Sequence, residues 1–129
     1  MTPVSQGDAP LVLIVDDSER NRRLTRDVLR AAGFRTVEAT CGAEALAVAD
    51  ERLPDVILMD LRLPDMDGVA VARELGTRAR TGVIPVVALS SIPLGGRDSS
   101  LAGVFAGCLE KPFDVHAFPE QVRRFCAGE

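Results

Sequence analysis

Five short runs rich in apolar and β-branched residues recur along the chain, and stretches with helical spacing separate them. The first is Leu11 to Val15. A weaker one covers Arg35 to Ala39. Val56 to Met59 and Val83 to Leu89 follow, the latter with Pro85 near its start, and Gly107 to Glu110 is the last. Continuous apolar runs of this length predict strands buried on both faces.

Between the runs the pattern changes to that of helices. Ser18 is placed to cap a first helix, with Leu24, Val28, Ala31 and Ala32 on one face and Gly33 as its stop. Thr40 is placed to cap a second helix through about Glu51, with Ala43, Leu46 and Ala47 turned inward; Pro54 then breaks the chain. Leu61 to Gly68 reads as a loop, and Asp67 as the cap of a third helix to about Arg78. Ser90 to Ser100 carries Pro93 and Gly95-Gly96 and reads as a loop, followed by a short helix to about Ala106. Phe118, Val122 and Phe125 share one face of a closing helix, with Pro119 in its first turn.

Strand and helix therefore alternate five times, which predicts an α/β fold: a parallel sheet covered by helices on both faces. Sites in such sheets lie beyond the carboxyl ends of strands, where the strand order switches. Asp16-Asp17 follow the first strand and Asp60 follows the third. Ser90 ends the fourth, and Lys111, the chain's single lysine, follows the fifth.

Composition narrows the classes. A chain of 129 residues, 47% hydrophobic, suits one folded domain. A net charge of −4 argues against direct nucleic-acid binding, so Arg20, Arg22, Arg23, Arg26 and Arg30 read as a solvated helix face. No apolar run reaches the ~18 residues of a membrane span, and no secretion signal is seen. Cys41, Cys108 and Cys126 form neither a metal pattern nor a disulfide framework, which fits the cytoplasm. Met1 to Pro10 is polar and aperiodic and reads as a flexible tail.

Three carboxylates gathered at one sheet edge repel one another unless a cation lies among them. Hard oxygen donors in small number suit a magnesium ion. A carboxylate beside such an ion can act as nucleophile toward a phosphoryl group, with a lysine and a hydroxyl taking up the charge of the transferred oxygens. Asp65-Met66-Asp67-Gly68 with Glu74 matches part of a calcium loop, but Leu63 falls at the first ligand position and cannot ligate. His116, the single histidine, reads as exposed ahead of the closing helix.

Val-Asp-Asp-Ser at 15–18, Leu-Met-Asp-Leu-Arg-Leu-Pro-Asp-Met-Asp-Gly at 58–68, Val-Val-Ala-Leu-Ser at 86–90 and Lys-Pro-Phe at 111–113 resemble response-regulator receiver domains, from about Leu11 to Cys126. The resemblance implies a receiver domain over 11–127. It implies a flavodoxin-like, doubly wound five-stranded parallel sheet, order 2-1-3-4-5, flanked by five helices. It implies Asp60 as phosphoacceptor and Mg2+ held by Asp16, Asp17, Asp60 and the backbone carbonyl of Arg62. Ser90 would be the switch hydroxyl and Lys111 the phosphate-pairing lysine. The phosphoryl donor would be a sensor histidine kinase or a histidine phosphotransfer protein. Output would pass to an unknown downstream protein by altered binding, as in a stand-alone receiver, without direct nucleic-acid or membrane contact. No catalysis beyond the domain's own phosphoryl transfer and autodephosphorylation is implied.

Two departures stand out. Cys108 occupies the place of the family's usual aromatic, and Pro93, Gly95, Gly96 and Gly103 fall where a regular helix is usual. They leave a phosphorylation-independent adaptor as the alternative reading. An aspartyl-phosphate phosphatase of the haloacid-dehalogenase kind fits less well, because Asp16 and Asp17 are adjacent where that family has D-x-D after its first strand.

Overall fold

The computed structural model describes residues 9–61, 63, 65, 67–90, 105–110 and 116–126, with the backbone alone for Ser90, Cys108 and Glu110. The elements are β1 (Leu11–Val15), α1 (Glu19–Ala31), β2 (Arg35–Ala39), α2 (Gly42–Arg52), β3 (Val56–Asp60), α3 (Gly68–Thr77), β4 (Val86–Ser90), β5 (Gly107–Glu110) and α4 (Phe118–Cys126). All strand pairs are parallel, in the order β2-β1-β3-β4-β5. The expected fold class holds, with four helices among the described residues. The short helix expected before Ala106 lies outside them, apart from Phe105 and Ala106, which are not helical.

Strand side chains alternate between two cores. Leu13, Val15, Ile57, Met59 and Ala88 pack with Ala45, Ala49, Val71 and Leu75 from α2 and α3. Val12, Ile14, Val56, Leu58, Val87 and Leu89 pack with Leu29, Phe118 and Val122 from α1 and α4. Each fully buried aliphatic side chain contributes ~1.5–3 kcal/mol, so the central strands anchor the domain. Phe34 belongs to the second core, and the Arg123 guanidinium lies 5.0 Å from its ring centroid. Arg123 also donates to the Ala32 carbonyl at 3.0 Å, tying α4 to the end of α1.

Three of the expected faces and boundaries need correction. On α1 the buried residues are Thr25 and Leu29; Val28 and Ala32 border the core, while Leu24 is 52% exposed and Ala31 is exposed. On α2 the buried face carries Ala45 and Ala49, with Leu46 at its margin, and Ala43 and Ala47 face solvent. Where the apolar residues of a helix are mostly alanine, as on α2, hydrophobic contrast is too weak to set its rotation, and the sheet sets it instead. β4 begins at Val86, not Val83, which is 85% exposed. Pro85 lies just ahead of the strand, and its carbonyl accepts from Ile57 N at 3.0 Å.

Local signals did set several boundaries. The Ser18 side chain accepts from Asn21 N, Gly33 takes φ +98°, and Asp67 accepts from Val69 N at 2.8 Å. Thr40 does not cap α2. The cap position is Cys41, which makes no side-chain cap bond, and Glu44 reaches back to Thr40 N at 2.6 Å. Ala9 and Pro10 present their carbonyls to Arg35, at 2.9 Å each.

Candidate functional site: an acidic cluster at the carboxyl edge of the sheet

β1 lies between β2 and β3, so the chain leaves the sheet in opposite directions after its first and third strands. This switch point opens a crevice at the carboxyl edge. Asp16 and Asp17 follow β1 into that crevice, and Asp60 ends β3 beside them. One ligand oxygen from each lies within 4.8 Å of the other two. Asp16 is buried at 2% exposure, Asp60 is half-buried and Asp17 is exposed.

Backbone geometry holds the cluster together. Asp16 N donates to the Ala39 carbonyl at 3.1 Å, and Asp16 Oδ1 accepts from Ser18 N at 2.9 Å. Asp60 pairs in register with Leu89 of β4, which places Ser90 one residue further along the same edge. Ser90 in turn pairs with Glu110, so β5 delivers the chain to that edge just before Lys111. The Ser90 side chain, Lys111 and Arg62 lie outside the described residues, so the structure gathers Asp16, Asp17 and Asp60.

Two further residues shape the site, and sequence reasoning missed both roles. Gly68 opens α3 directly against the end of β3: its N–H donates to the Leu61 carbonyl at 3.1 Å, with no room for a side chain. Asp65, in the loop after Asp60, caps α2 from outside. Its carboxylate accepts from Gly42 N at 2.7 Å and Ala43 N at 3.0 Å. The Ala43 and Gly42 amides hold the Asp65 carboxyl below the ordinary aspartate value. The only sequence signal was an aspartate in a loop. Its partners are 22 and 23 positions away.

Other candidates fall away. A cavity of about 740 Å³ opens at the opposite edge of the sheet, bordered among the described residues by Leu53, Asp55, Val83, Phe105 and Cys126 and away from Asp16, Asp17 and Asp60. Burial, reinforced by Asp55, pushes the Cys126 thiol up to about 11, so it stays protonated at neutral pH and is a poor nucleophile. His116 is exposed, as expected. The basic α1 face is only partly solvated, because Arg22 and Arg26 both pair with Glu38 of β2.

A doubly wound sheet with three carboxylates at its switch point suits a metal-dependent phosphoryl-handling protein, and similarity to known proteins gives the family. Residues 12–123 match the response regulator receiver domain. The polar-differentiation response regulator DivK of Brucella ovis is 35% identical over 117 residues, covering 88% of this chain and 94% of that protein. The chemotaxis protein CheY4 of Vibrio cholerae superposes with a TM-score of 0.84 at 28% identity, over 91% of this chain and 98% of that one. The receiver domain of sensor histidine kinase PA1611 from Pseudomonas aeruginosa, which has a magnesium ion in its active-site cleft, also gives 0.84. It is 29% identical, over 92% and 98% of the two chains.

This chain belongs to the response regulator receiver domain family. It is a phosphorylation-dependent signalling switch of two-component systems, and membership implies interaction with histidine kinases or phosphotransfer proteins. Its acidic cluster suits a metal ion. Among the described residues, no helix is long and apolar enough to cross a membrane.

Proposed function

We propose that Asp60 accepts the phosphoryl group, in a site where Asp16, Asp17, Asp60 and the Arg62 carbonyl hold Mg2+. The observation that supports this most directly is the convergence of the three carboxylates within 4.8 Å at the switch point. The donor set is all oxygen and partly open to solvent, as a magnesium site requires. Asp60 is the member of the cluster that sits in a central strand and remains partly exposed, so a donor can reach it.

An Asp60 carboxylate oxygen attacks the phosphorus of a phosphohistidine. The new P–O bond forms as the P–N bond breaks, and the imidazole nitrogen leaves with the electron pair. A magnesium ion held by Asp16, Asp17, Asp60 and the Arg62 carbonyl would neutralise charge on the transferred oxygens. Asp16 and Asp17 orient the acceptor's surroundings from β1. Lys111, the residue after β5 in the chain, pairs with the phosphoryl, and Ser90 donates its hydroxyl to it from the end of β4. These two roles rest on the family resemblance and on strand position. The domain catalyses its own phosphorylation and dephosphorylation, takes its phosphoryl from a cytoplasmic kinase or phosphotransfer protein, and signals through an altered protein surface.

The test is labelling with acetyl phosphate and magnesium, read by intact mass. The parent protein gains one phosphate and Asp60→Asn gains none. Undiminished labelling of that variant overturns the assignment.

A further inference from the structure

Arg22 stands on the first turns of α1 but points back under the acidic cluster. Its Nη1 donates to the main-chain carbonyl of Asp16 at 2.8 Å. Its Nε meets Glu38 Oε1 of β2 at 3.1 Å, and the side chain is only 14% exposed. Glu38 also binds Arg26, at 3.4 Å. The guanidinium fork thus spans the end of β1 and the neighbouring strand, using two fixed donors as lysine could not. It grips the peptide that joins Asp16 to Asp17. Asp16 is held independently through Ser18 N and the Ala39 carbonyl. Asp17 is exposed, and that peptide sets the position of the backbone that carries its carboxylate.

We infer that Arg22, held by Glu38, is a positioning residue that orients the Asp16–Asp17 peptide and so places the Asp17 carboxylate for metal binding. This rests on the magnesium reading above. Two effects compete when the guanidinium is removed. Losing a cation near three carboxylates strengthens cation binding. Losing the grip on the peptide weakens it, because Asp17 must then be ordered when the metal binds. Charge-assisted donors to a ligand's own backbone act like other supporting groups around metals, whose loss costs ~10–100-fold in affinity. The positioning effect wins.

The experiment measures Mg2+ binding to the whole unphosphorylated chain by calorimetry, beside amide exchange at Asp17 and Ser18 without metal. Arg22→Met weakens magnesium binding about tenfold and speeds exchange at those two amides. Arg22→Lys, which keeps the charge and one donor, falls between. Arg23→Met removes the same charge one residue along, from an exposed pair with Glu19, and leaves both readouts within about twofold. Magnesium binding by Arg22→Met as tight as the parent's, or tighter, overturns the inference, as does unchanged exchange at Asp17. Should Arg22→Met fail to fold, Arg22→Lys decides by the same two readouts. If the parent takes up no magnesium, the metal reading fails, while the exchange measurement still decides the positioning role.

Discussion

A methyl group built on Gly68 would stand 2.5 Å from the carbonyl oxygen of Asp60 and 2.9 Å from the Cα of Leu61. The start of α3 therefore rests on the backbone that carries the central carboxylate. Gly68→Ala must push that backbone aside, at a cost of ~1–3 kcal/mol for overpacking. We expect a lower Tm together with slower acetyl-phosphate labelling. Gly76 lies in the same helix with nothing within 4 Å of an added Cβ. Gly76→Ala should stabilise the domain by ~0.5–1 kcal/mol through helix propensity and leave labelling intact. Thermal unfolding and labelling of the pair separate the two cases, and equal effects would show that the Gly68 contact does not matter.

Asp65 ties the loop after Asp60 to the start of α2. Its carboxyl is held below the ordinary value of 3.8, so the unfolded chain binds the proton more readily. The stabilisation is therefore fully present above the ordinary aspartate value and is lost as pH falls through the lower folded value. Asp65→Ala should lower Tm at neutral pH, with the difference shrinking at low pH. Asp65→Asn, a comparable acceptor for helix amides, should stay near the parent at pH 7 and lose this pH dependence. Melting curves from pH 7 to pH 2 check both, and an unchanged difference at low pH would reject the cap.

Leu53 ends α2 with φ 47°, a left-handed conformation that costs a branched residue ~1–2 kcal/mol. The side chain is 43% exposed, so little burial is lost on removing it. Leu53→Gly should leave stability unchanged or raise it by up to ~1 kcal/mol, once the extra freedom of the unfolded glycine is offset. Chemical denaturation measures the sign. A loss above ~1 kcal/mol would show that Leu53 contacts outweigh the strain.

Crowded carboxylates make the acidic cluster a source of instability before a cation binds. Asp17, the exposed member, can be removed without opening a cavity. Asp17→Ala should raise the Tm of the metal-free protein by a few degrees and abolish both stabilisation by magnesium and labelling of Asp60. Calorimetric scans with and without magnesium test this. A variant that magnesium stabilises as much as the parent would remove Asp17 from the ligand set.

The features legible in the amino-acid order are local or periodic. The apolar runs at 11–15 and 56–59 marked the central strands because both faces of a parallel sheet are buried. Ser18, Gly33 and Asp67 marked helix ends because each acts on amides or dihedrals within three residues. Asp16, Asp17 and Asp60 were legible as one site because alternating strands and helices oblige strand ends to share an edge. The remaining features depend on residues far apart in the chain, which only folding brings together. The buried faces of α1 and α2 were set by the sheet beneath them, which turned Leu24 outward and chose Ala45 and Ala49 over Ala43 and Ala47. Asp65 caps α2 across 23 positions, Arg22 meets Glu38 across 16, and Gly68 touches Asp60 where a loop folds back. Such contacts leave no period in the sequence. They arise when packing brings a donor beside an acceptor that no local rule assigns to it.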